Sequence, residues 1–175
     1  MSGPLHGAGR PVGPRVPVDA QSTAAPAITL STAADTRRFG ERLAEVLRPG
    51  DLIVLTGPLG AGKTVLVQGI GAGLRVRGNV VSPTFVIARV HTGPVPLVHV
   101  DAYRLSSLDE VDDLDLDVDT ADAVTVVEWG QGLVEQLADA RLEIAISRAA
   151  DSEVRTVRVL PFGGDWAARV AGLSA

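Results

Sequence analysis

The segment Gly57-Pro58-Leu59-Gly60-Ala61-Gly62-Lys63-Thr64 carries the clearest chemical signature in the chain. It matches Gly-x-x-x-x-Gly-Lys-Ser/Thr, in which glycines let the main chain wrap closely around a phosphate cluster. Successive N–H groups then point at the anion, and the positive end of a following helix adds to their field. On this pattern Lys63 bridges the β- and γ-phosphates, and Thr64 places its hydroxyl on Mg2+. Gly57, Gly60, Ala61, Gly62, Lys63, Thr64 and Val65 make up the expected ATP-binding stretch. The alternative is a glycine-rich turn that only links strand to helix.

A phosphate loop needs a second carboxylate at a neighbouring strand end, to hold magnesium through its shell or to orient the attacking water. Asp101 and Glu128 qualify, because each closes an apolar strand pattern and so projects from the carboxyl edge of a sheet, where ligands bind. For either residue alone, a solvated strand-end acid is an equally good description. Arg148 and Arg155 are candidates to cover the adenine.

The elements that must position these groups are legible around them. Thr32 and Asp35 form a capping pair before Phe39, Leu43, Val46 and Leu47 at helical spacing, a helix predicted to end at Pro49-Gly50. Leu52 to Thr56 is an unbroken apolar run of strand formers, as in a parallel strand buried on both faces. The glycine loop follows it directly. Beyond the loop, Val67, Ile70 and Leu74 share a helical face, and Gly69, Gly71 and Gly73 are expected to weaken that helix toward its end.

Further strands are predicted at Phe85 to Val90 and Leu97 to Asp101, joined by the turn signal Thr92-Gly93-Pro94, and at Val124 to Glu128. Leu142 to Ser147 and Val154 to Leu160 read as a hairpin, and Asp165 to Leu173 as a terminal helix. Early helix–strand alternation and a late hairpin predict an α/β fold. It should be a three-layer sandwich of the P-loop NTPase type, with a mixed, mostly parallel central sheet and a C-terminal β-hairpin.

With 175 residues, 46% hydrophobic and 21% charged, the chain suits one domain with a substantial core. Residues 1–27 hold five prolines among many Gly and Ala with no periodic apolar face, and are expected to be a disordered tail before a single domain at 28–175. The absence of cysteine excludes a disulfide framework, a thiolate metal site and a cysteine nucleophile. No apolar run approaches the ~20 residues that span a bilayer, and a signal peptide's apolar region is missing. A cytoplasmic protein with no membrane partner is expected. The net charge of −5 and the scarcity of aromatic residues disfavour direct nucleic-acid binding.

The glycine loop, then Ser82-Pro83-Thr84-Phe85, then His99-Val100-Asp101-Ala102-Tyr103-Arg104-Leu105, then Glu128-Trp129-Gly130, resemble the TsaE (YjeE) family in order and spacing. The resemblance covers residues 28 to 160. It implies a small ATPase of the bacterial machinery that makes N6-threonylcarbamoyladenosine beside the anticodon of tRNA. In that family a TsaD-type partner, paired with a TsaB-type subunit, performs the transfer and meets the tRNA, while the ATPase docks on them and serves turnover. Carried onto this chain, the resemblance gives Thr64 and Glu128 to magnesium, and Asp101 to the nucleotide–metal site. Ser82 to Phe85 becomes a switch-like loop facing the γ-phosphate, with Thr84 offering a hydroxyl to metal or water. Lys63, Asp101, Glu128 and Thr84 are thus the expected catalytic group, and ATP and Mg2+ the cofactors.

Two positions depart from the family pattern. Pro58 stands where the family often has Asp, removing a carboxylate and a backbone donor at the start of the loop. A Gly usual after the short acidic helix is missing from Asp109 to Asp122. That acidic stretch is not a calcium loop either, since counting from Asp113 the required glycine and twelfth-position carboxylate are Val118 and Val124. His99 precedes Asp101 by two and shares its sheet face, as a hydrogen-bonded structural histidine. The competing enzyme class is a P-loop kinase of small metabolites. Such kinases carry an arginine-rich lid to neutralise transferring phosphates, and no such insertion interrupts Gly93 to Trp129.

Overall fold

Thr32 and Asp35 close the capping box that their spacing predicts. The Thr32 hydroxyl accepts from the Asp35 N–H at 3.1 Å, and the Asp35 carboxylate accepts from the Thr32 N–H at 2.9 Å. The computed structural model describes residues 26–84, 87–104, 119–130 and 138–173. Strand β1 (Ala27–Leu30) leads into this cap, so nearly all of the expected tail lies outside the described residues.

Helix α1 (Ala33–Ala44) stops earlier than predicted. Val46 and Leu47 instead continue as a tighter turn, donating to the carbonyls of Leu43 and Ala44, and still pack against the core. The Arg169 guanidinium shapes this exit by donating to the Val46 carbonyl and to the Asp51 carboxylate while stacking 3.9 Å over Trp166. Arg169 lies on the short helix α3 (Trp166–Val170), which is also briefer than the sequence predicts.

Strand β2 (Leu52–Thr56) is buried throughout and runs through the glycine loop into α2 (Lys63–Gly73). The glycines expected to weaken α2 have a packing purpose. A Cβ on Gly69 would lie 2.1 Å from the Arg37 carbonyl oxygen of α1, so only a hydrogen lets the two helices approach this closely. Replacing Gly69 with Ala is expected to destabilise the protein by about 2–3 kcal/mol through forced separation of α1 and α2, seen as a lower denaturant midpoint at unchanged slope. An unchanged midpoint would show that the helices do not depend on this contact.

The other strands are β3 (Ala88–His91), β4 (Leu97–Asp101), β5 (Val124–Glu128), β6 (Arg141–Arg148) and β7 (Arg155–Phe162). They form one sheet in the order β1-β7-β6-β2-β5-β4-β3. The inner strands β6, β2, β5 and β4 run parallel to one another, whereas β7, β1 and β3 are antiparallel to their neighbours. This is the expected α/β class with a mixed sheet, parallel at its centre and closed by a C-terminal hairpin. Strand β3 begins at Ala88, later than predicted, because Ile87 adopts a left-handed φ of 69° that breaks the extended path. Phe85 lies outside the described residues.

One core cluster, with Phe39, Leu66, Ile70, Leu55 and Val126, fills the space between the sheet and α1, α2 and α3. A second, with Val54, Val98, Val100 and Val127, lies on the opposite face of the sheet. The layer expected over that face lies outside the described residues. Among the described residues no helix is long and apolar enough to cross a membrane.

Candidate functional site

The β2–α2 connection holds its shape through glycines that no other residue replaces without strain. Gly57 has φ 142° and a Cβ there would lie 2.1 Å from the Ile146 carbonyl oxygen on β6. Gly62, the N-cap of α2, has φ 111°. Between them Ala61 is buried and donates its N–H to the Pro58 carbonyl at 3.2 Å. Pro58 therefore keeps an acceptor role although it has lost the family's carboxylate.

Lys63 opens α2 and turns back over the loop. Its Nζ donates to the carbonyls of Gly57 at 2.8 Å and Pro58 at 3.1 Å, and sits 4.2 Å from the centre of the Trp129 ring. Burial pushes the ammonium below the usual lysine range, opposed by the negative charges of Glu128 and Asp101. A cation held this way, partly stripped of water and facing carbonyl dipoles, is prepared for a stronger anionic partner.

A cleft of about 280 Å³ opens beside it. Gly60, Gly62, Lys63, Thr64 and Val65 form its floor, Ser82 and Thr84 one wall, and Glu128, Trp129 and Arg155 the rest of the rim. Most of the residues that the sequence nominates thus meet in one place. The hydroxyls of Thr84 and Ser82 share a 2.7 Å hydrogen bond, and both residues line the cleft. Gly57 and Ala61 are not among the residues that line it.

Asp101 and Glu128 are register partners at the carboxyl ends of the parallel strands β4 and β5, and both are buried. They are not equivalent. Glu128 lines the cleft, whereas Asp101 is not among its lining residues and spends one oxygen on the Tyr103 N–H at 3.0 Å.

Of the two arginines, Arg155 reaches the cleft and Arg148 stays exposed at the end of β6. Arg155 is 4% exposed and donates to the Glu153 carbonyl at 2.7 Å. Its Nε has no partner and lies where a Cβ on Gly62 would approach to 2.8 Å. The guanidinium therefore stands over the loop with an unsatisfied buried donor. It arrives there because β7 runs antiparallel, which puts the strand's first residue at the carboxyl edge of its neighbours.

The sequence left three features unresolved. His99 is hydrogen-bonded as expected, and its partner is Glu128 itself, with Nε2 to Oε1 at 2.8 Å. Trp129 has φ 62°, a left-handed conformation that turns its ring over Lys63, with Tyr103 edge-on at 5.7 Å. Leu59, at the loop tip, is 93% exposed. A β-strand pattern alone does not indicate which cross-strand pair will bond or that a residue after the strand will have positive φ. Asp109 to Asp117 of the acidic stretch lie outside the described residues, while Asp119 and Asp122 are exposed.

The donor set suits a hard cation. Thr64, Thr84 and Glu128 offer only oxygens, and among the described residues no cluster of three His, Cys, Asp or Glu side chains could hold a metal alone.

Fold and cleft together define an α/β protein whose glycine loop leads from a central parallel strand into a helix, with an acid at the end of the adjacent strand. The family model described as threonylcarbamoyl adenosine biosynthesis protein TsaE matches residues 30–157. The chain belongs to the TsaE family. It is 60% identical over 139 residues to the tRNA threonylcarbamoyladenosine biosynthesis protein TsaE of Streptomyces coelicolor, covering 75% of this chain and 93% of that protein. The protein of the same description from Mycobacterium tuberculosis is 49% identical over 137 residues, covering 73% and 82%. The crystal structure of YdiB from Bacillus subtilis superposes with a TM-score of 0.69 at 31% identity, covering 85% of this chain and 93% of that one. A role in tRNA threonylcarbamoyladenosine biosynthesis follows from membership of this family.

Proposed function

We propose that the chain binds Mg-ATP in the cleft over residues 57–65 and hydrolyses it to ADP and phosphate, slowly in isolation and faster on its partners. The ATPase serves threonylcarbamoylation of the adenosine next to the tRNA anticodon. It acts on a TsaB–TsaD-type complex in the cytoplasm and is not itself the transferase. The observation that carries this reading is the convergence of Lys63, Thr64 and Glu128 on one cleft at the carboxyl edge of parallel strands.

The roles follow from the chemistry of each group. The amides of the loop from Gly57 to Thr64 receive the phosphates, and Lys63 exchanges its carbonyl partners for phosphate oxygens. Thr64 and Glu128 hold magnesium, which when bound neutralises the developing phosphate charge. Thr84 orients water or metal, and Asp101 stands beside Glu128 at the end of the neighbouring strand as a second acid. Arg155 supplies its free Nε–H to the nucleotide. An acidic chain poor in aromatic residues reaches tRNA through its partners.

Depletion of the protein followed by nucleoside analysis of bulk tRNA tests the role. Threonylcarbamoyladenosine should fall severalfold and return with the wild-type chain. Undiminished modification would favour the metabolite-kinase alternative.

A further inference from the structure

His99 is the one imidazole on β4, in a strand otherwise made of Leu97, Val98, Val100 and Asp101, and it is 0% exposed. A polar ring in this position loses its hydration, which an aliphatic side chain would not, and the cost is offset only by hydrogen bonding. One bond is present, Nε2 to Glu128 Oε1 at 2.8 Å, and Nδ1 has no partner. This asymmetry fixes the proton. On Nδ1 it would leave a buried donor unbonded and turn the Nε2 lone pair toward a carboxylate oxygen, whereas on Nε2 it makes a charge-assisted bond.

We propose that His99 is a positioning residue, one that donates Nε2–H to Oε1 of Glu128 and so fixes how the carboxylate is turned toward the metal–nucleotide complex. The proposal rests on the reading of Glu128 as a magnesium ligand. The bond draws on one acceptor site of Oε1 and fixes the rotation of the carboxylate, which makes Oε2 the better placed oxygen for a cation. Calcium readily accepts two oxygens of one carboxylate, while magnesium takes single oxygens in a strict octahedron. His99 thereby favours magnesium over the larger ion. It also keeps Glu128 from swinging toward the Lys63 ammonium, whose charge it feels across the cleft.

The test is calorimetric titration with a nonhydrolysable ATP analogue in magnesium, in calcium and in chelator. In the wild type, magnesium should strengthen binding over chelator. His99→Leu should cut that gain by about tenfold to a hundredfold, the usual effect of removing a group that orients a metal ligand. It should leave affinity in chelator unchanged and lower the preference for magnesium over calcium. His99→Gln, whose amide nitrogen can stand in for Nε2, should restore much of both.

A wild type that gains nothing from magnesium would overturn the metal role of Glu128 and this proposal with it. A wild-type gain that His99→Leu retains in full would overturn the proposal alone, as would an equal loss with and without metal. Should His99→Leu fail to fold, nitrogen NMR of the wild-type ring decides. A proton on Nε2 with a bare Nδ1 supports the assignment, and a proton on Nδ1 overturns it.

Discussion

Replacing Lys63 with Ala should weaken Mg-ATP binding by about a hundredfold or more while leaving the melting temperature unchanged. The side chain touches the carbonyls of Gly57 and Pro58 and the Trp129 ring, and belongs to neither core cluster. Its removal therefore takes an ammonium from the phosphates and little from the fold. Hydrogen bonds to charged groups contribute about 1.5–3 kcal/mol each, and two of them account for at least two decades of affinity. The lysine is already partly dehydrated, so the phosphates meet a cation that has less water to shed. Lys63→Arg should not rescue binding, because a planar fork does not fit the point-charge site between two carbonyls and an indole. Calorimetry with ATP and magnesium, paired with thermal melting, checks both halves of the expectation. Unaltered affinity in Lys63→Ala would remove the basis for placing a triphosphate in this cleft.

Glu128→Gln should act on the chemical step. The amide can still accept from His99 and keeps the volume of the carboxyl, but it presents no charge to magnesium. Nucleotide affinity should fall only to its metal-free level, held by the loop amides and Lys63. Single-turnover hydrolysis on the reconstituted complex should drop by about 10²–10³, corresponding to about 3–4 kcal/mol of lost charge stabilisation. Equality with the wild-type rate would strip Glu128 of its assigned part and leave Asp101 as the nearest acid.

The chain's periodicity specified most of the scaffold for physical reasons that can be named. Strands β2, β4 and β5 have the predicted bounds because each is a short run dominated by branched apolar residues and almost wholly buried on both faces. Where one face is half exposed, the bounds shifted. β7 starts at Arg155 and runs through Pro161, and β3 begins at Ala88, just after the left-handed Ile87.

Local chemistry also succeeded at the loop, since the φ values of Gly57 and Gly62 are those that only glycine adopts freely. It failed wherever the answer depended on a neighbour distant in sequence. The glycines of α2 looked like weak points until α1 was beside them. Arg155 and Arg148 were interchangeable until the hairpin register put one in the cleft and the other in solvent. His99 had a bond but no known partner until β4 lay against β5.

The strand order has a consequence for how the chain assembles during synthesis. Among the described residues β1 is the first strand made, yet it pairs with β7, the last, with Ala27 opposite Arg158. The strand that feeds the glycine loop is likewise flanked by β5 and β6, both synthesised after it. On the ribosome the loop thus emerges well before the walls that fix its curvature, and the pairing of β1 is completed only after Arg158 has been added. A chain wired this way gains its cleft late and nearly all at once, so a nascent fragment ending before β7 holds the signature residues without the geometry that brings them together.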